Sequence, residues 1–248
     1  AGSVRHLIHH ELRYPPGSKV LEAGCGVGAQ TVTLAQNSPE AQFYAVDWAG
    51  KSLELARDTV ASQGITNVEF SEADLFDLPF EAAYFDHLFI CHLLEHQVEP
   101  VSGLTAIRKH LKPGGTVTVF EGDHGSCYFN PPSEDALMTW NCLIEVQRRL
   151  GANSLIGREL FPLITDAGFA RVRVEPKMVY IDQSRPELME SFVHKTIIPM
   201  VEGVREHAIE MDFIDEPTWH NGISDLHRIR HSEMGIFCYT FFKGRAIR

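Results

Sequence analysis

The sequence lacks several features that define common classes of protein. Its 248 residues include no apolar run long enough to cross a bilayer, so no membrane association is predicted. No signal-peptide pattern opens the chain, and the five cysteines contain no C-x-x-C pair. These absences predict a cytoplasmic protein with reduced thiols. Long runs of Lys and Arg are also missing, and the net charge of −11 argues against a nucleic-acid substrate.

Metal-binding motifs are scarce in the sequence as well. No H-E-x-x-H motif occurs, although His92 and His96 lie four residues apart with Glu95 between them. That spacing leaves a zinc site as an alternative. Most such pairs lie on helix surfaces or in substrate pockets, so we predict no metal site.

A glycine-rich segment, residues 19–30 (KVLEAGCGVGAQ), is the most informative part of the chain. Apolar residues predict a buried strand, Gly24, Gly26 and Gly28 alternate along a turn, and a helical pattern resumes at Thr31. Glycine allows a tight turn and a close approach by a ligand. A strand that ends in this way at a helix N-terminus is typical of nucleotide-binding proteins.

The residues around the glycines help to distinguish a dinucleotide from a ligand with a cationic group. Gly24, Gly26 and Ala29 satisfy the relaxed G-x-G-x-x-G/A pattern of dinucleotide-binding proteins, which leaves a dinucleotide oxidoreductase as an alternative. Glu22, however, lies within the preceding strand. Its carboxylate would repel a pyrophosphate and would attract an ammonium or sulfonium group.

Further polar residues follow the next predicted strands. Asp47 ends a second strand, at a separation from Gly24 that suits a carboxylate accepting both ribose hydroxyls. Asp74 follows a third strand and Cys91 ends a fourth. Strands that alternate with helices predict an α/β protein with a doubly wound parallel sheet. The carboxyl ends of those strands meet at one edge, so these four residues are expected to converge there.

From residue 22 to its last strand the chain resembles the seven-stranded, class I methyltransferases that depend on S-adenosylmethionine (SAM). Their E/D-x-G-x-G-x-G motif corresponds to residues 22–28, their F-D-x-apolar strand begins at Phe85, and their L-K-P-G-G turn corresponds to residues 111–115. The resemblance extends to the small-molecule methyltransferases of ubiquinone and menaquinone biosynthesis. It implies a Rossmann-like fold in which the last strand is antiparallel.

The resemblance also implies how the chain is divided. We expect a single methyltransferase domain over residues 1–248, with a SAM-binding core over residues 14–121. Residues 122–156 and 182–233 depart from the family layout and are expected to be helical insertions that form a cap over the substrate.

The resemblance further implies a SAM site whose product is S-adenosylhomocysteine (SAH). Glu22 is expected to bind the methionine ammonium group, and Asp47 the ribose. The other residues predicted to contact the cofactor are Gly24, Gly26, Gly28, Trp48, Asp74, Leu75 and Cys91.

Methyl transfer from a sulfonium is an in-line displacement with a neutral leaving group, so the enzyme supplies proximity and alignment. A base is needed only if the acceptor must lose a proton. The candidates on the acceptor side are His92 and, at the end of strand five and on the loop that is predicted after it, Glu121, Asp123 and His124.

The sequence thus predicts an enzyme that transfers a methyl group from SAM to an O, N or C atom of a small molecule. The alternatives are a non-catalytic module that binds SAM or SAH and, with less support, a dinucleotide oxidoreductase. A monomer or a homodimer is expected.

Overall fold

The computed structural model describes residues 8–9 and 12–248, and these residues contain one seven-stranded sheet. The spatial order of the strands is β3-β2-β1-β4-β5-β7-β6. Their bounds are β1 Lys19–Ala23, β2 Gln42–Asp47, β3 Val68–Glu72, β4 Phe85–Cys91, β5 Leu111–Asn130, β6 Ala170–Ile181 and β7 Ile236–Ile247.

The direction of the strands confirms the predicted fold class. All pairs from β3 to β5 are parallel. The amide of Arg248 donates to the carbonyl of Gly115 near the start of β5, whereas the amide of Thr240 donates to Oγ of Ser126 farther along. The last strand therefore runs antiparallel to β5, and the sheet is the mostly parallel, doubly wound sheet that the sequence predicts.

The described residues also contain nine α-helices. Their bounds are α1 Ala29–Asn37, α2 Gly50–Ala61, α3 Pro100–Arg108, α4 Glu134–Arg149, α5 Leu160–Asp166, α6 Pro186–Leu188, α7 Ile198–Glu202, α8 Arg205–Glu210 and α9 Glu216–Arg228. A π-helical segment spans Met189–Ile197, and 3-10 turns span Leu94–His96, Ile156–Glu159 and Ile229–His231. None of these helices has the length and apolar character needed to cross a membrane.

The segment after residue 121 differs from its prediction. We expected a loop, but β5 continues to Asn130. The strand is prolonged because the last strand and the residues just before it offer partners. Ser126 bonds to the backbone of Thr240 on that strand, and the side-chain amide of Asn130 donates to the carbonyl of Met234, two residues before it. Asp123 and His124 therefore lie on a strand, where buried neighbours fix their positions.

Contacts between Cα atoms divide the chain into two compact units. Among the described residues, the core unit comprises residues 8–9, 12–121, 156–176 and 242–248, and the helical unit comprises residues 122–155 and 177–241. The helical unit contains most of the two predicted insertions. Whether the chain is one domain, and whether those insertions form a substrate cap, stay predictions.

The core unit is held together by a continuous apolar cluster on one face of its strands. Leu21, Leu88 and Val117 contribute from β1, β4 and β5, while Leu104 and Ile164 contribute from α3 and α5. All five side chains are completely or almost completely buried. Burial of a side chain of this size contributes about 1.5–3 kcal/mol, so this cluster fixes the strand ends that carry the candidate site.

The helical unit has an aromatic core. Trp140 from α4 and Phe192 from the π-helical segment both contact Phe237 on β7 edge to face. At the start of α4, Oγ of Ser133 accepts a hydrogen bond from the amide of Ala136 and so caps the helix.

Candidate cofactor and acceptor site

The predicted cofactor residues lie at the carboxyl edge of the core unit's sheet. Gly24 directly follows β1, while Asp47 and Cys91 end β2 and β4. Ala23 pairs with Val46 on one side and with Ile90 on the other, so these three strand ends are adjacent. The expected convergence on one edge is therefore found.

The three glycines of the turn all adopt left-handed backbone conformations, with φ of +74°, +53° and +78° at Gly24, Gly26 and Gly28. A Cβ at Gly24 would lie 2.8 Å from the Leu93 side chain, and one at Gly28 would lie 3.1 Å from Ala56. A Cβ at Gly26 would meet no described atom within 4 Å. The first and third glycines thus permit close packing, and the middle one leaves open space.

Asp47 holds this turn in place. Its Oδ2 accepts a hydrogen bond of 2.8 Å from the amide of Gly26, and its Oδ1 accepts one of 3.0 Å from the amide of Ala49. Each carboxylate oxygen can accept a second hydrogen bond, so the side chain retains capacity for ligand hydroxyls. Trp48, the next residue, is 79% exposed, which leaves its indole accessible.

Asp74 and Leu75 follow β3, the strand that pairs with β2. Oδ1 of Asp74 accepts a hydrogen bond of 2.8 Å from the amide of Phe76, which orders the turn after the strand. Asp74 is exposed, whereas Leu75 is half-buried against the apolar cluster. Asp74 and Leu75 therefore place one polar and one apolar side chain beside the carboxyl edge of the sheet.

Glu22 is a buried carboxylate with unmet hydrogen-bonding capacity. It is 2% exposed, and its Oε2 has no hydrogen-bond partner among the described residues. Burial is the main cause that raises the pKa of Glu22 to about 8; the neighbouring Thr31 hydroxyl opposes this rise, and the charge of Asp47 contributes to it. Because a buried polar atom without a partner is costly, a cationic ligand group would find a favourable position here.

The end of β4 carries Cys91 and His92. Burial raises the pKa of the Cys91 thiol well above its ordinary value, so it acts as a small apolar side chain rather than as a nucleophile. His92 has φ of +54°, uncommon for a residue with a Cβ, and its amide donates to the carbonyl of Phe120. Its imidazole lies edge to face with the Phe120 ring.

Glu121 supports the segment that follows β4. Its carboxylate is fully buried, and Oε1 accepts hydrogen bonds of 3.0 and 2.8 Å from the amides of Leu93 and Leu94. Burial raises the pKa of Glu121 to about 8, and the charge of Glu95 acts in the same direction. This predicted catalytic residue thus positions the backbone beside the strand ends.

Asp123 and His124 belong to the helical unit. The Asp123 carboxylate accepts a hydrogen bond from the amide of Gly125, while Nδ1 of His124 lies 2.6 Å from the hydroxyl of Tyr239. Burial lowers the pKa of His124 to about 4, and Asp123 only partly opposes this effect. The imidazole is therefore neutral at neutral pH, and the described residues leave its Nε2 without a partner.

Two residues of interest were not among the predicted site residues. Tyr239 is the hydrogen-bond partner of His124, although 115 residues separate them. Glu95 has an Oε1 3.9 Å from Nδ1 of His92, and in the sequence it stands out only by its position between two histidines. The tyrosine occurs in an aromatic strand that looked like core, so only the strand pairing reveals its contact with an imidazole.

Comparison with known proteins supports the family resemblance. Residues 20–115 match the family described as "Methyltransferase domain". The chain is 36% identical over 105 residues to a demethylmenaquinone methyltransferase of Clavibacter sepedonicus, covering 42% of this chain and 41% of that protein. It is 26% identical over 121 residues to the ubiquinone/menaquinone biosynthesis C-methyltransferase UbiE of Geotalea daltonii, covering 48% and 52%. The chain spans about half the length of the curated relatives it matches.

A solved structure shows the same fold. Phosphoethanolamine N-methyltransferase 2 of Haemonchus contortus, in complex with phosphomonomethylethanolamine and SAH, aligns with a TM-score of 0.60 and 16% identity. The alignment covers all of this chain and 52% of that one. Residues 20–115 are thus similar to a methyltransferase domain, and the chain shares the fold of a solved N-methyltransferase.

Proposed function

We propose that this protein is an enzyme that transfers the methyl group of SAM to an O, N or C atom of a small-molecule acceptor. The observation that carries this proposal is the buried Glu22 carboxylate, whose Oε2 has no described partner and which lies at the end of β1. An ammonium group would satisfy that oxygen. A pyrophosphate has no cationic group and no hydrogen-bond donor for that oxygen, which disfavours the dinucleotide alternative.

The residues at the sheet edge fit SAM. The carboxylate of Glu22 would bind the methionine ammonium group, and the open space at Gly26 admits a ligand close to the backbone. Asp47 would accept hydrogen bonds from the ribose, while the exposed indole of Trp48 offers an apolar face to the adenine. SAM itself supplies a methyl group activated by the positive charge on sulfur.

The acceptor class follows from charge and from the relatives. The net charge of −11 disfavours a polyanionic substrate, and two of the matched relatives are named for methyl transfer to menaquinone or ubiquinone precursors. We therefore propose a small apolar acceptor with a hydroxyl or ring carbon as the methylated group. A cytoplasmic monomer or homodimer is part of this proposal.

Three residues are proposed to act on the methyl acceptor: His92, Asp123 and His124. His124 stays neutral because burial lowers its pKa to about 4, so its imidazole suits hydrogen bonding better than strong base catalysis. Asp123 and His124 enter the proposal because they lie two and three residues after Glu121 in the chain. Their action on the acceptor, like that of His92, stays a prediction.

Parallel calorimetric titrations with SAM, SAH and NAD test the cofactor, and transfer of a labelled methyl group from SAM to a panel of hydroquinones and phenols tests the activity. Micromolar binding of SAM and SAH with labelled product supports the proposal. Binding without transfer to any acceptor favours the non-catalytic binding module. Binding of NAD alone contradicts the proposal and favours an oxidoreductase.

We expect SAM binding to release a proton from Glu22. The pKa of Glu22 is about 8 in the folded chain, against an ordinary value of 4.5. Between pH 4.5 and pH 8 the folded state therefore binds this proton more strongly than the unfolded state does. The stability of the free protein should fall as the pH rises through this range. At pH 7 the group is mostly protonated, so an ammonium ligand should release a large part of one proton there, and much less well above pH 8.

Calorimetry in buffers of different ionisation enthalpy measures the proton release. Glu22→Gln is the matched control, since it removes the titrating group and preserves the shape of the side chain. This substitution should abolish the proton release at pH 7. The result would show that the proton comes from Glu22 and not from Glu121, whose pKa is also about 8. Equal proton release by both proteins would contradict the assignment of Glu22.

A further inference from the structure

We propose that His92, Glu95 and Glu121 form a binding site for one divalent transition-metal ion, of the class of Mn²⁺, Fe²⁺ or Zn²⁺. All three residues belong to the core unit. His92 directly follows β4, Glu95 lies on the 3-10 turn Leu94–His96, and Glu121 lies within β5, which pairs with β4. The strand pairing brings these residues together although 29 positions separate the first from the last.

The geometry of the three side chains suits a shared ion. One ligand atom from each residue lies within 4.8 Å of the other two. Nδ1 of His92 is 3.9 Å from Oε1 of Glu95. Ligands that bind one ion at about 2.0–2.2 Å lie about 3–4 Å from each other, so the three atoms need only small side-chain rotations to bind it.

Glu121 provides independent support for a ligand at this place. Its Oε1 is fixed by the amides of Leu93 and Leu94, whereas its Oε2 is buried and has no hydrogen-bond partner among the described residues. Buried polar atoms in folded proteins are nearly always satisfied. A metal ion would supply the interaction that this oxygen lacks.

The charges around the cluster also favour a cation. Glu95 and Glu121 bring two carboxyl groups together, and the ion pairs described for Glu95 are with imidazoles, at 3.9 Å from His92 and 3.7 Å from His96. No lysine or arginine is paired with either carboxylate in the described part of the chain. A divalent ion would be attracted to this pair of carboxyl groups, which has no other cation paired with it among the described residues except imidazoles.

The donor set indicates the class of metal. Two carboxylates and one imidazole are ligands that Mn²⁺, Fe²⁺ and Zn²⁺ accept, whereas Ca²⁺ prefers six to eight oxygen ligands. His92 and Glu95 are both partly accessible, so the ion would retain positions for water or for a ligand. The exposed His96 lies next to Glu95 and is available as a further ligand.

The position of the site suggests what the ion does. It lies at the same sheet edge as Gly24 and Asp47, where β4 ends beside β1. A bound divalent ion lowers the pKa of a coordinated hydroxyl and holds its oxygen in place. This use in methyl transfer rests on the proposed function, whereas metal binding itself does not.

Titration of the chelator-treated full chain with Mn²⁺ alone, followed by electron paramagnetic resonance and calorimetry, tests the site. We expect one Mn²⁺ per chain, with affinity at least tenfold weaker in both Glu95→Gln and His92→Gln. Glu99→Gln is the matched control, because Glu99 is exposed and lies outside the cluster. It should bind Mn²⁺ as the unaltered protein does.

Failure of the metal site and failure of the proposed function are distinguishable in the same samples. Absence of stoichiometric Mn²⁺ binding, or equal affinity in all four proteins, overturns the metal site even if SAH binds normally. Mn²⁺ binding without SAH binding leaves the metal site standing and contradicts the proposed function. Thermal melts confirm that both cluster variants are folded, and if one is not, the other decides the result.

Discussion

Replacing Asp47 by alanine is expected to weaken SAH binding on the order of 100-fold. The variant loses a carboxylate that would accept hydrogen bonds from two hydroxyls, each worth about 1.5 kcal/mol or more when the acceptor is charged. A loss of about 3 kcal/mol corresponds to roughly two orders of magnitude in the dissociation constant. The same change also frees the amides of Gly26 and Ala49, which Asp47 now holds. Calorimetric titration with SAH measures the effect.

Two matched variants separate the contributions of Asp47. Asp47→Asn keeps an oxygen that accepts a hydrogen bond but removes the charge, so it should bind SAH with intermediate affinity. Asp58→Asn alters an exposed acid on α2 and should leave the affinity unchanged. If Asp47→Ala bound SAH as tightly as Asp58→Asn, the assignment of Asp47 to the ribose would be wrong.

The second large effect concerns two glycines of the same turn. Gly28→Ala is expected to lower the free energy of unfolding by roughly 2–4 kcal/mol. Part of this loss is the left-handed conformation, at about 1–2 kcal/mol, and the rest is the crowding of the new methyl group 3.1 Å from Ala56. Urea denaturation of the free protein measures the change.

Gly26→Ala is the matched comparison for Gly28→Ala. Its backbone is also left-handed, but its Cβ would meet no described atom within 4 Å, so only the conformational part, about 1–2 kcal/mol, should be lost. The same methyl group would occupy space that the cofactor needs, so SAH binding should weaken more than tenfold. Equal loss of stability in the two variants, with normal SAH binding by Gly26→Ala, would contradict these assignments.

The sequence was sufficient to predict the sheet edge that carries the cofactor residues. Glu22, Gly24 and Asp47 belong to local patterns in which a strand, a turn and a helix follow one another within a few residues. Such patterns depend on backbone geometry that nearby residues determine, such as the need for glycine at positive φ. The positions of these residues at adjacent strand ends therefore follow from the predicted parallel sheet.

The continuation of β5 could not be predicted in the same way. Residues 122–130 contain two glycines, an asparagine and an aspartate, which are typical of a loop, yet they form a strand because β7 lies beside them. A partner more than 100 residues away in the chain supplied the hydrogen bonds. Local propensity does not contain that information.

By itself, the sequence determined the α/β class of this protein, its glycine turn and the acidic residues of its candidate cofactor site. Only the tertiary structure decided that Glu22 is buried with an unpartnered oxygen, that Tyr239 contacts His124, and that His92, Glu95 and Glu121 form one cluster. The physical reason is that burial and pairing arise between strands distant in the chain. Local patterns fix where a strand ends, whereas strand order fixes which side chains meet there.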